Sequence, residues 1–177
     1  YNSGIRSVGV CLMHAYTYPE HEQLVGEIAR EIGFTHISLL SSLSPMIKFV
    51  SRANSSIVDA YLTPEIKRYL LSFEAGLKHG YRSGANRQGV RCHYMQSDGG
   101  LVDAHAFSGL RAILSGPAGG VVGYAATCYD PANEIPLIGF DMGGTSTDVS
   151  RYGEGKFYHV FETVTAGVTI QSPQLDI

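Results

Sequence analysis

Two carboxylates, Asp141 and Asp148, flank Gly143, Gly144 and the hydroxyls of Thr145, Ser146 and Thr147. Glycine lets a backbone approach a ligand closely or take a positive φ. Backbone N–H groups in such a turn form a concave anion site, and nearby hydroxyls add donors. A carboxylate beside a bound phosphate is tolerated when a hard divalent cation lies between them. The apolar run 135–140 reads as a buried strand ending on Asp141, and Val149 opens a returning strand. The expectation is a strand–turn–strand that holds a nucleotide phosphate with Mg²⁺. The competing reading is a plain β-hairpin with a Gly-Gly turn, and the two acids and three hydroxyls weigh against it.

The elements that must position this turn lie upstream. Ser115-Gly116-Pro117-Ala118-Gly119-Gly120-Val121-Val122-Gly123 opens a helix with Pro117 near its start. Gly116 and Gly120 share a face, as do Gly119 and Gly123. A glycine inside a helix costs about 1 kcal/mol against alanine, so close packing of another helix is expected there. Anion binding at the helix N-terminus beside Ser115 is the alternative. Residues 104–114 read as a short helix, and 90–95 as a strand leading into the polar turn 96–100. Asp98 in that turn is expected to bond its own backbone, with a ligand contact at the strand end as the alternative.

Near the N-terminus, strand 5–13, a helix from Pro19 to about Ile32 closed by Gly33, and strand 36–40 form a βαβ unit. Such a unit is parallel with a right-handed crossover. The stripe Leu24, Val25, Ile28 and Ile32 is expected to face the core, with Glu20, Glu22, Glu27 and Glu31 in water. A polar loop over 41–52, including Pro45, leads to a long helical region whose aromatics, Tyr61, Tyr69 and Phe73, are expected in the core. Thr63 as N-cap and Pro64 as first helical residue predict a break or kink. Residues 81–89 read as a linker, 151–155 as a turn and 156–164 as a strand.

Composition narrows the classes of function. Hydrophobic residues make up 44% and charged residues 16%, which supports a packed core. A net charge of −3 with no basic block gives no attraction to nucleic acid or an anionic membrane, so neither is expected as a partner. No apolar run reaches the roughly 18 residues of a membrane-crossing helix. Cys11, Cys92 and Cys128 are widely spaced without a CxxC pair, which argues against a zinc site and fits a reducing, cytoplasmic setting. The seven histidines show no metal-ligand spacing and read as structural or surface residues. A start on Tyr1 and an end in mid-pattern suggest a fragment of a longer protein.

The order βαβ, helices, glycine-faced helix, strand–DMGGTSTD–strand resembles part of the actin, heat-shock chaperone and sugar-kinase ATPase superfamily. The resemblance implies an α/β, actin-like (ribonuclease H-like) ATPase fold, present in part. Residues 1–114 would end one lobe, and 115–177 would supply the interlobe helix and the phosphate hairpin opening the next. The words Ser115–Gly123 and Phe140-Asp141-Met142-Gly143-Gly144-Thr145-Ser146-Thr147-Asp148-Val149 are similar to the hydantoinase A / 5-oxoprolinase family, as are Met95–Leu101 and Pro19–Glu22. Leu43–Lys48, Asp59–Pro64, Phe161–Thr163 and Ser172–Ile177 look closer to its ATP-dependent oxoprolinase branch.

That resemblance implies ATP-driven opening of 5-oxo-L-proline to L-glutamate, with Mg²⁺ required and a monovalent cation such as K⁺ expected. It places Asp141 as the catalytic contact to Mg²⁺ through water. Gly143, Gly144 and Thr145 would give phosphate-binding backbone donors, Thr145 and Thr147 hydroxyls, and Asp148 would orient the loop or a water. Gly119 and Gly120 would belong to the interlobe contact. The family's earlier phosphate hairpin has no counterpart word here, so this stretch is expected to bind ATP weakly alone and to need the rest of its own chain. A homo-oligomer is expected. A hydantoin-opening enzyme or a kinase of the same superfamily remains an alternative, and a non-enzymatic actin-like switch is a third. For the substrate, Lys48, Arg52, Asp98 and Arg111 each suit a carboxylate or amide, and spacing selects none.

Overall fold

A computed structural model describes residues 1–43, 46–82 and 86–177. Ser44 and Pro45 of the expected polar loop, and 83–85 of the expected linker, lie outside the described residues. Two compact units result: Tyr1–Val90 with Ser108–Leu110 and Glu162–Ser172, and Arg91–Phe107 with Arg111–Phe161 and Pro173–Ile177.

The first unit begins with the expected βαβ. Strands β1 (Ser7–Val10) and β2 (His36–Leu39) pair in parallel with Ser7 opposite His36, and α1 (Glu20–Ile32) connects them. Gly33, at φ 108°, closes α1 in the left-handed conformation that glycine takes without strain. The buried side of α1 differs from the apolar stripe. Leu24, Val25, Ile28 and Ile32 are exposed, while Glu22, Gly26 and Ala29 are buried. Gly26 is what lets the helix sit close: a methyl there would stand 3.1 Å from the Leu39 side chain. Glu22 is drawn inside because its carboxylate accepts the Leu12 and Ser41 N–H groups, each at 2.8 Å.

The polar loop is shorter than expected: α2 (Leu40–Leu43) and then α3 (Phe49–Ala75) occupy much of it. Helix α3 runs through Pro64 without interruption. Proline removes the N–H that would bond the Ala60 carbonyl, and the Ser7 hydroxyl of β1 donates to that carbonyl instead. Thr63 does not cap; its hydroxyl donates to Asp59 at 2.7 Å. The buried side of α3 is polar, with Arg52, Ser55, Ser56, Asp59 and Thr63, whereas Ile57, Tyr61, Tyr69 and Phe73 are exposed. Small residues again permit close approach, since a methyl on Gly9 of β1 would lie 2.8 Å from the Ser56 carbonyl oxygen.

In the second unit the strand expected at 90–95 shortens to β3 (His93–Met95), antiparallel to β4 (Leu101–Asp103). The helix expected at 104–114 divides into a 3₁₀ turn (Ala104–Ala106) and α4 (Gly109–Ala112), which crosses the boundary between the units. Helix α5 (Ser115–Cys128) follows, then an antiparallel sheet of β5 (Leu137–Met142), β6 (Thr147–Gly153) and β7 (Lys156–Phe157). Ala118, Val121 and Leu175 form its core, with Met95, Tyr124, Phe157 and Ile177 against them. Strands β8 (His159–Thr165) and β9 (Val168–Leu175) pair with each other. Among the described residues no helix is long and apolar enough to cross a membrane.

Candidate functional site: a glycine-tipped hairpin under helix α5

Strand β5 turns into β6 as expected, with Asp141 directly opposite Asp148. Opposed residues of an antiparallel pair share a face, about 5 Å apart at Cβ, and like charges there repel. Both carboxylates line a cavity of about 370 Å³, together with Gly139, Ser150 and, from α5, Pro117, Gly120, Val121 and Tyr124. The tip, residues 143–146, is closed by a bond from the Gly143 N–H to the Ser146 carbonyl at 3.0 Å. It is exposed throughout.

The two hairpin tips of this sheet use glycine differently. Between β6 and β7, Glu154 and Gly155 have φ 57° and 68°, the two left-handed residues of an ordinary tight hairpin. Neither Gly143 nor Gly144 lies in that region. A methyl on Gly144 would meet nothing within 4 Å, and one on Gly143 comes no closer than 3.6 Å to the Ser146 carbonyl oxygen. Neither backbone conformation nor crowding within the described residues calls for these glycines. The Gly144 N–H makes no bond among the described residues, whereas the Gly143 N–H is taken up by the Ser146 carbonyl.

The cavity face owes its shape to residues not singled out as functional. Gly139 lies under Tyr124, whose ring a methyl would overlap, and the Tyr124 hydroxyl is 3.0 Å from Ser150 Oγ. The signal was a glycine inside an apolar strand, which often marks close approach. Ile138, Phe140 and Met142 alternate with Gly139 and Asp141 along β5 and are exposed, so the strand is not buried on both sides. Along α5, a methyl on Gly116, Gly119, Gly120 or Gly123 would meet no atom within 4 Å. The backbone expected against that face is not among the described residues.

The two acids are suited to Mg²⁺, which takes one or two carboxylates and keeps several waters. No group of three or more His, Cys, Asp or Glu side chains among the described residues forms a fuller metal cage. The histidines act structurally where bonds are seen: His36 sits 3.0 Å from Ser38 Oγ, and His159 lies 3.1 Å from the Asp98 carbonyl oxygen.

The candidate substrate contacts separate by partner. Asp98 accepts the Gly100 N–H at 2.9 Å, the turn bond expected, and stands 3.9 Å from Arg111. Lys48 pairs with Glu162 at 3.1 Å, which with Gln171 holds the Glu162 carboxyl below its ordinary range. Arg52 is 1% exposed and has no carboxylate partner among the described residues. On the same helix Asp59 is closed off. Burial pushes its pKa up, but bonds from His36, Ser38, Thr63 and the Leu110 N–H prevail and hold it at about 2.

Comparison with known proteins bears on the family and the fold. The chain is 65% identical over its whole length to a 5-oxoprolinase of Saccharomyces cerevisiae, of which it spans 13%. Its fold superimposes on two solved structures with a TM-score of 0.76 each. One is a nucleotide-free acetone carboxylase, 22% identical, matched over 99% of this chain and 24% of that one. The other is an ATP-dependent caprolactamase from Pseudomonas jessenii, 23% identical, over 99% of this chain and 25% of that one. The model of the hydantoinase/oxoprolinase N-terminal region matches residues 1–33, and that of hydantoinase/oxoprolinase matches residues 52–177. The chain belongs to the hydantoinase/oxoprolinase family.

Proposed function

We propose that the full protein opens 5-oxo-L-proline to L-glutamate at the expense of ATP, and that the β5–β6 hairpin is one jaw of its nucleotide site. The observation that carries this is the Asp141–Asp148 pair facing each other beside a glycine tip that the fold itself does not require. Two opposed carboxylates are stable together when a cation sits between them. Bound there, Mg²⁺ would neutralise charge on the phosphates. Asp141 would hold it through water, Asp148 would orient the loop, and the N–H groups of Gly144 and Thr145, and of Gly143 once released from the Ser146 carbonyl, would hold phosphate oxygens with the Thr145 and Thr147 hydroxyls. The monovalent cation, the homo-oligomer, the cytoplasmic setting and the lobe boundary at Leu114/Ser115 belong to the same proposal.

A lactam is a poor electrophile. Transfer of the γ-phosphoryl group to the ring carbonyl oxygen releases ADP and activates the carbon. Water then adds, the ring C–N bond breaks with a proton going to nitrogen, and a second water releases phosphate from the acyl phosphate. Catalysis of this kind rests on positioning and charge stabilisation. The relatives support it by name: the yeast protein is a 5-oxoprolinase and the caprolactamase is ATP-dependent. The test is glutamate release from 5-oxo-L-proline by the full-length protein with Mg·ATP, beside hydantoin. Turnover of 5-oxo-L-proline is expected. Opening of hydantoin alone would overturn the substrate, and no ATP-dependent turnover of either would overturn the reaction.

A further inference from the structure

The first unit contains a buried cation with no carboxylate partner among the described residues. The Arg52 guanidinium is 1% exposed, and its Nε and Nη2 have no partner among the described residues. Its carbon lies 5.3 Å from the centre of the Tyr16 ring. Arginine stays charged in proteins, and a buried unpaired charge is costly. The nearby acid is already engaged: Glu22, 0% exposed, accepts the N–H groups of Leu12 and Ser41. Cys11 lies in the field of both charges, with burial raising its thiol pKa, Arg52 lowering it and Glu22 raising it.

The position is as telling as the missing partner. Cys11 follows β1 and Ser41 follows shortly after β2, so both lie at the carboxyl ends of a parallel pair. Ligands of α/β sheets bind at that edge. The Ser41 hydroxyl there is also buried without a partner among the described residues. Nε and Nη2 are the adjacent nitrogens of the guanidinium, whose two N–H bonds run parallel and fit both oxygens of a carboxylate. A single guanidinium fits the one carboxylate of a monoanion and not the several charges of a nucleotide.

We propose that Arg52, at the carboxyl edge of β1 and β2, binds the carboxylate of the lactam substrate, with the Ser41 hydroxyl as a further donor at that edge. This rests on the ring-opening activity proposed above. Of the four candidates spacing could not separate, Lys48, Asp98 and Arg111 each face an opposite charge, while Arg52 has no carboxylate partner among the described residues.

The test compares full-length wild type with Arg52→Met and Arg52→Lys. Arg52→Met is expected to raise KM for 5-oxo-L-proline about 100-fold, the scale of removing one partner of a buried pair, with KM for ATP unchanged. Arg52→Lys restores part of the loss. Without substrate, Arg52→Met melts at or above the wild-type temperature, because an unpaired buried charge is removed. In wild type, 5-oxo-L-proline raises the melting temperature while 2-pyrrolidinone, the same ring without the carboxylate, does not. Arg52→Met loses that rise. An unchanged KM for 5-oxo-L-proline in folded Arg52→Met overturns the assignment. So does a marked fall in substrate-free melting, which would mean that a carboxylate of the protein is the partner. If wild type shows no ATP-driven opening of 5-oxo-L-proline, the functional reading fails separately. A carboxylate-dependent melting shift lost in Arg52→Met then still supports the site, and its absence overturns it.

Discussion

Asp141 and Asp59 are the same side chain put to opposite uses. Asp59 is buried on α3, and His36, Ser38, Thr63 and the Leu110 N–H converge on its carboxylate. Asp141 lies exposed near the end of β5 opposite another acid, and no hydrogen bond or ion pair reaches its side chain among the described residues. A closed carboxylate supports the fold and is unavailable to a ligand. An open one costs the fold some repulsion and is available for chemistry. The difference teaches that burial and partner count, more than residue type, separate scaffold from site in this chain.

That contrast can be broken most sharply at Asp141. Asp141→Asn in the full-length protein is expected to lower ATP-driven turnover by about 10³-fold or more, with its melting temperature unchanged; near-normal turnover would remove Asp141 from the site. Next in size, Asp59→Ala should destabilise by roughly 3–5 kcal/mol, because four donors lose their acceptor, while the folded fraction keeps its KM for ATP. Thermal melting and kinetics on the same sample decide whether the two acids separate in this way. Acid gives a smaller effect of the same origin. The folded pKa of Asp59, about 2, lies below its ordinary 3.8. Its contribution, about 2 kcal/mol, is present above pH 4 and is lost as pH falls from about 4 towards 2. Asp59→Asn should flatten that part of the stability curve. Smallest is the pair of tip glycines. Gly155→Ala should cost about 1 kcal/mol for its left-handed φ, whereas Gly144→Ala should leave stability unchanged or slightly raised and weaken ATP binding. Equal losses of stability would erase the distinction between the two hairpins.

Local features were legible from the sequence. The βαβ order, the Gly33 terminus, the Asp98 turn and the strand–turn–strand around Asp141 depend on residues close together along the chain. The inward faces of α1 and α3 were not legible. Their apolar stripes have the right period, yet Glu22, Arg52, Ser55 and Asp59 take the interior because small residues bring the backbones close. Polar groups survive there through bonds to distant residues, such as the Ser55 hydroxyl accepting the Gln171 N–H at 2.8 Å. Periodicity carries no record of such partners. At the site, the acids and glycines stood out by type, while Tyr124 and Ser150 became relevant once α5 lay over β5.

The continuity of α3 through Pro64 has a consequence for assembly. A proline leaves one bare carbonyl at a fixed point on the helix, and Ser7 is the strand residue that reaches it. If β1 slid by one residue, Arg6 or Val8 would arrive there instead: one side chain is too long to fit the close contact, and the other has no proton to give. The missing amide therefore acts as a notch that admits one alignment of strand and helix, and an imperfection in the helix ladder becomes a means of telling the correct pairing from its nearest neighbours.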